Sequence, residues 1–123
     1  MRNFKELLIW QESMKIVKEV YQLTKRLPTE ERFGVATQMQ RAAVSISSNI
    51  AEGCSRKSQK DYRRILEIAL GSAFELETQL LVTVEVGYLK KDELDHVIQL
   101  INKEQKMPNS FIKTVEKSQK PEN

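Results

Sequence analysis

Cysteine is nearly missing from this 123-residue chain. Cys54 stands alone, so no disulfide can form within one molecule, and such cysteine usage fits a reducing cytoplasm. Histidine is as scarce: His96 alone leaves little for Ser-His-Asp or Cys-His chemistry. The four glycines, at 34, 53, 71 and 87, are isolated from one another, which excludes a glycine-rich phosphate loop. No apolar run approaches the roughly 18 residues of a membrane span. The opening stretch MRNFKELLIWQESMKIVKEV is amphipathic and broken by charge, so no signal peptide is expected there. Strand-like alternation, internal repeats and low-complexity tracts are also lacking.

What remains is helical periodicity. A chain this long can bury a core large enough to fold as one domain, expected over residues 1–117 with a frayed tail at 118–123. The spacing predicts four helices over about 3–27, 35–53, 58–87 and 91–117. Asn3 is a good first cap, and Pro28 turns Leu27 away from helical angles. Gly53 is expected as a left-handed stop, and Ser58 caps the third helix with Asp61 three residues on. The fourth helix repeats Leu94, Val97, Ile101, Pro108, Phe111 and Val115, with Glu104 interrupting the seam. Pro108 predicts a kink or break near 106–109, because it removes a backbone donor.

Two of these helices carry more than a core stripe. On helix one, Leu7, Trp10, Met14, Val17, Tyr21 and Thr24 form one heptad line. Ile9, Ser13, Ile16, Val20, Leu23 and Leu27 form another, about 100° round the helix. A helix of a monomeric bundle needs one such face. Two predict self-association, although the periodicity leaves open which stripe meets a neighbour. On helix two, Arg41, Ser45, Asn49, Glu52 and Arg56 climb beside the apolar residues, where Lys and Glu would be better helix formers. Helix three adds a polar line with Glu67, Gly71, Glu75 and Thr78. Close contact between helices or subunits is the expectation for both lines, with Glu67 and Glu75 meeting Arg41 or Arg56.

Charge is distributed unevenly. Residues 54–67 hold Arg56, Lys57, Lys60, Arg63 and Arg64 against Asp61 and Glu67, whereas residues 68–89 hold only Glu75, Glu77 and Glu85. The helix macrodipole favours the opposite order, with acids at the N-terminal end. A local rule broken in this way is expected to be compensated, and nucleic-acid phosphates would do so. Two other readings stay open: Arg63 and Arg64 pair with Glu67 one turn on, or with acids of a neighbouring subunit. Only Tyr62 supplies an aromatic ring nearby, so no single-strand stacking platform is indicated. Glu93 and His96 have the E-x-x-H spacing of di-iron bundles, but no other histidine exists for the second motif. Neither catalytic residue, metal nor cofactor is expected.

The runs WQESMKIVKEVYQLT (10–24), LPTEERFGVATQMQRAAVSISSNIAEG (27–53) and RRILEIALGSAFELETQL (63–80), followed by GYL at 87–89, carry a resemblance. They resemble a small bacterial four-helix-bundle family. It includes proteins encoded in 23S rRNA intervening sequences and the accessory protein of diversity-generating retroelements. The resemblance implies an all-α, antiparallel up-down four-helix bundle assembled into a ring-like homopentamer. It also implies a basic surface that binds nucleic acid, structured RNA first, for which Arg41 is expected to act with Arg56, Lys57, Lys60, Arg63 and Arg64. For the retroelement members it implies a reverse transcriptase as protein partner. The family's polar signature falls here on Arg41, Ser45, Asn49, Glu52, Arg56, Glu75, Glu77 and Thr78. Departures are Gln40 before Arg41, where the family often has consecutive arginines, Ser47 where it often has proline, and Pro108.

Overall fold

The computed structural model describes residues 2–119, with side chains through Met107. Four helices form an all-α bundle: α1 (Leu8–Thr24), α2 (Val35–Gly53), α3 (Gln59–Glu85) and α4 (Asp95–Gln119). Short 3-10 turns at Phe4–Glu6, Thr29–Glu31 and Lys91–Leu94 precede α1, α2 and α4. Each helix packs on its sequence neighbours, and α1 also packs on α4, whereas among the described residues the backbones of α1 and α3 do not approach closely, nor do those of α2 and α4. With connections this short, that square arrangement is an antiparallel up-down bundle. The α2–α3 turn and the start of α1 share one end, and the α1–α2 and α3–α4 connections share the other.

The stripe left open on α1 is resolved by packing. Ile9, Ser13, Ile16, Val20 and Leu23 are buried, while Met14 and Tyr21 remain 42% and 43% exposed. Ile16, Val20 and Leu23 are therefore core residues, and Trp10 and Val17 lie half-buried at its rim. Met39, Ala42, Ile46 and Ile50 of α2 meet Tyr62, Leu66, Ala69, Ala73, Leu76 and Leu80 of α3 across the centre. Leu94, Val97 and Ile101 close the core from α4, and Glu104 continues their line, fully buried. Alanines at 42, 43, 69 and 73 keep helix surfaces shallow, so that the larger side chains opposite can fill the space.

Several boundaries differ from expectation. Asn3 does cap a helical turn, its side chain accepting from Lys5 N–H, but the turn is 3-10. Leu7 is extended (φ −78°, ψ 128°) and separates it from α1. At the other end α1 stops at Thr24, three residues before Leu27, and Leu27 folds back into the core. Gly53 is not a left-handed stop: Cys54 beyond it is still right-handed helical, and its N–H reaches back to Ile50 O. Its small size serves packing instead, since a Cβ there would lie 3.1 Å from Tyr62 Cδ1. The left-handed glycine is Gly87 (φ 82°). Its N–H bonds Val84 O at 3.0 Å and Tyr88 N–H bonds Thr83 O at 2.8 Å, the paired closure that seals a helix end with glycine.

Ser58 caps α3 as expected, accepting from Asp61 N–H at 3.1 Å. Helix α4 runs on past Pro108 to Gln119, so the expected break is not there. One proline removes one amide donor, and the bonds of the flanking turns carry the helix through. Phe111 and Val115, and the tail at 120–123, lie outside the described side chains and residues respectively.

Candidate functional site

The polar ladders are mostly hydrogen-bonded within the chain. Ser45 and Ser72 join α2 to α3 through their hydroxyls at 2.9 Å. Asn49 Nδ2 donates to Ser45 O and Oγ at 2.7 and 2.9 Å. A second hydroxyl pair, Ser13 and Ser47 at 2.8 Å, is buried between α1 and α2. Glu77 accepts from Gln105 Nε2 of α4 at 2.8 Å. Thr78 and Glu75 face outward, Thr78 donating to Phe74 O and Glu75 accepting from Gln79 Nε2. Of the ladder residues, then, Ser45 and Glu77 tie helices together within one chain.

The expected ion pairs across helices do not form. Arg56, in the α2–α3 turn, binds Glu52 of the last turn of α2 at 2.6 Å, and Glu67 lies 3.9 Å from Arg63 one turn away on α3. Arg41 and Glu75 instead line one groove of about 340 Å³ between α2 and α3, with Ser45 and Ser72 at its floor. At 1.5 Å per residue, Arg41 sits roughly 18 Å along α2 from Gly53, where the basic turn begins. It therefore does not join the basic turn.

Lys57, Lys60 and Arg64 are exposed, and the Arg56 and Arg63 side chains keep 43% and 33% exposure. All five lie at the end of the bundle where α2 turns into α3. Arg56 and Arg64 flank a cleft of about 300 Å³ there, shared with Asp61 and Ile65. Arg2, which sequence reasoning missed, extends the same end. Its guanidinium lies 3.7 Å from the centroid of the Tyr62 ring and donates to Gln59 Oε1 at 2.8 Å. The signal that could have found it is the excess of lysine and arginine in the first 27 residues, six against three acids.

Beneath the basic turn, Tyr62 is fully buried beside the Cys54 thiol. Burial above all pushes the phenol up to about 12, and burial likewise raises the thiol. A buried thiol of raised pKa is a poor nucleophile. His96, 67% exposed, faces Glu19 at 3.9 Å on the helix surface. Among the described residues, no cluster of three or more His, Cys, Asp or Glu could hold a metal ion, and no helix is long and apolar enough to cross a membrane.

Outward-facing apolar side chains occupy two opposite sides. On one, Trp10, Met14 and Val17 of α1 line a groove of about 250 Å³ with Val44, Ser48 and Ala51 of α2. On the other, Phe74 and Leu81 of α3 are 53% and 48% exposed. About one turn before Phe74 in that helix, Gly71 has open space where a Cβ would be.

These features coincide with known proteins. A family model described as 23S rRNA-intervening sequence protein matches residues 5–110. A solved protein of unknown function from the S23 ribosomal protein family of Bacteroides thetaiotaomicron VPI-5482 has the same fold. Its TM-score is 0.79 at 26% identity, over 86% of this chain and 99% of that one. No curated protein matches. The family model spans the bundle and both polar ladders, and the chain belongs to the 23S rRNA-intervening sequence protein family.

Proposed function

We propose that this protein is a non-enzymatic, cytoplasmic homo-oligomer, pentameric by its resemblance, that binds structured RNA through the basic end of the bundle. The observation that carries the reading is the gathering of Arg56, Lys57, Lys60, Arg63 and Arg64 at the α2–α3 turn, with Arg2 beside them. Glu52 pairs with Arg56 and Glu67 with Arg63, each within one turn and exposed. Such exposed pairs contribute about 0–1 kcal/mol, so phosphate can displace them. Lysine and arginine give affinity without sequence preference, and folded RNA is recognised largely through backbone and shape. The family name, which places its genes in ribosomal RNA, supports RNA over DNA.

Assembly multiplies the patch. The α1–α2 groove and the α3 ridge differ in shape and face opposite ways. A contact between such unlike surfaces is head-to-tail, and repeated it closes a ring where the rotation between successive subunits divides a full turn. Each subunit then contributes one modest basic end, and several weak contacts act together.

Binding of a structured RNA hairpin, measured by fluorescence anisotropy, is expected to weaken steeply with salt. The double variant Arg63→Glu with Arg64→Glu is expected to lower affinity by at least about tenfold while circular dichroism stays unchanged. Unaltered affinity would sink the site. The second reading, an adaptor for a protein partner such as a reverse transcriptase, is favoured by the exposed apolar ridge of α3. Under it, the same charge reversals should break the oligomer, visible as a fall in mass by light scattering, and no RNA should bind.

A further inference from the structure

Among the exposed large apolar side chains, Phe33 stands furthest into solvent, at 87% exposure. It belongs to the connection between α1 and α2, at the end of the bundle remote from the basic turn. Beside it lies a groove of about 450 Å³ whose lining includes no acidic side chain. Leu27, Pro28 and Ala36 give the groove an apolar floor, and Lys25 and Arg32 stand at its rim. The Arg32 guanidinium lies 5.4 Å from the centre of the Phe33 ring, so cation and ring are presented together. Thr37 Oγ1 donates to Arg32 O at 2.6 Å and fixes the backbone that carries both. The acid next in sequence, Glu31, is occupied: Tyr88 Oη donates to it at 2.8 Å and Val35 N–H at 3.3 Å.

A flat apolar ring, a shallow apolar floor and two cations without an ion pair suit a ligand that is planar at one part and anionic at another. An inorganic anion would leave Phe33 without a role, and an apolar helix would leave Lys25 and Arg32 facing nothing. Bases inside a duplex are stacked on their neighbours and cannot reach a protein ring, whereas an unpaired one can. We infer that the groove takes one unpaired nucleotide of a folded RNA, its base stacked on Phe33 and its flanking phosphates neutralised by Lys25 and Arg32. The inference rests on the RNA-binding reading but uses the opposite end of the bundle. One RNA would then be held at two points: a paired stem at the basic turn and an extruded base at the α1–α2 connection.

The full-length protein is titrated with two RNA hairpins of identical stem, one fully paired and one with a single bulged 2-aminopurine. The wild type should bind the bulged hairpin more tightly and alter its fluorescence. Phe33→Ala should lose roughly 5- to 100-fold of that affinity, the usual effect of removing one stacking ring, and bind the paired hairpin unchanged. Phe33→Trp should keep the preference. Arg63→Glu with Arg64→Glu should weaken both hairpins alike, which separates failure at the basic turn from failure here. A bulge preference that survives Phe33→Ala overturns the inference. So does loss of the oligomer in that variant, which would make Phe33 a subunit contact. Free 2-aminopurine ribonucleotide binding as tightly as the bulged hairpin would point to a mononucleotide site and also overturn it.

Discussion

Glu104 of α4 is buried to 0% exposure and faces Glu12 of α1, whose own carboxylate is held by Lys15 at 3.0 Å and Lys103 at 3.6 Å. Glu12 takes both lysines, and neither oxygen of Glu104 has a hydrogen-bond partner. Burial first, and the charge of Glu12 second, push the Glu104 carboxyl up from 4.5 to about 8. Around neutrality it is therefore a neutral acid that continues the apolar line of Leu94, Val97 and Ile101.

A raised folded-state pKa means the native state holds a proton that the unfolded chain has released. The stability from this group is complete below about pH 4.5 and is lost as the pH rises to about 8. The slope is at most about 1.4 kcal/mol per pH unit. Glu12 acts in the opposite direction: the Lys15 hydrogen bond chiefly lowers its pKa, so its contribution is lost only on acidification below the ordinary carboxylate range. Glu104→Gln is expected to flatten the stability profile between pH 5 and 8 and to melt above the wild type at pH 8. Calorimetric melts across that range check it, and an unchanged profile would show that Glu104 is ionised and solvated.

The buried hydroxyl pair Ser13–Ser47 links α1 to α2, and Ser13 also donates to Trp10 O at 2.6 Å. Ser47 is thereby left as the donor of the 2.8 Å bond between them. Ser47→Ala removes that donor and Ser13→Ala the acceptor. Each single change is expected to cost about 1 kcal/mol, and the double change less than their sum, with a coupling of about 0.5–1.5 kcal/mol. Urea titrations of the four proteins give the cycle. Strict additivity would mean that the two hydroxyls are independent.

Two helical glycines should respond oppositely to alanine. At Gly71 a Cβ meets nothing within 4 Å, so Gly71→Ala is expected to stabilise the subunit by about 1 kcal/mol through helix propensity. At Gly53 it meets Tyr62, whose ring is fully buried with the Arg2 guanidinium over its face. Crowding there costs about 1–3 kcal/mol and outweighs the propensity gain. Thermal melts compare the pair. A stabilised Gly53→Ala would show that the Tyr62 ring can shift freely.

How far the chain could be read from sequence differs from element to element. Both ends of α2 were legible, since its apolar spacing runs unbroken from Val35 to Ile50. The two stripes of α1 were visible, but their strengths are similar, and the choice between them was not. Ser13 belongs to the core stripe because Ser47 satisfies it, and that partner lies 34 residues away. Gly53 and Gly87 look alike as glycines after apolar helices. One is small because Tyr62 packs on it, the other because the backbone turns left-handed. Local pattern carries neither fact.

The candidate site was legible as charge but not as geometry. Arg56, Lys57, Lys60, Arg63 and Arg64 are close in sequence, so any helical hairpin would gather them. Arg41 shares their polar ladder yet lies several turns away, and Arg2 joins them through the ring of Tyr62 and the side chain of Gln59. The exposure of Phe33 could not be foreseen, because aromatic residues in connections are as often turned inward.

The square arrangement of helices has one more consequence. An even number of antiparallel helices brings the backbone back to the end at which it began, so the start of α1 and the last turn of α4 come to lie on the same end as the α2–α3 turn. The seam between α1 and α4 joins residues far apart in the chain, as Glu19 with His96 and Glu12 with Lys103, and the other three interfaces join successive helices. Covalent order thus matters little to the packed form: the same four faces would meet if the chain were closed between its ends and reopened at 29–33. Circular permutation there would cut the chain beside Phe33, and the new linker would run at the basic end, beside Arg2.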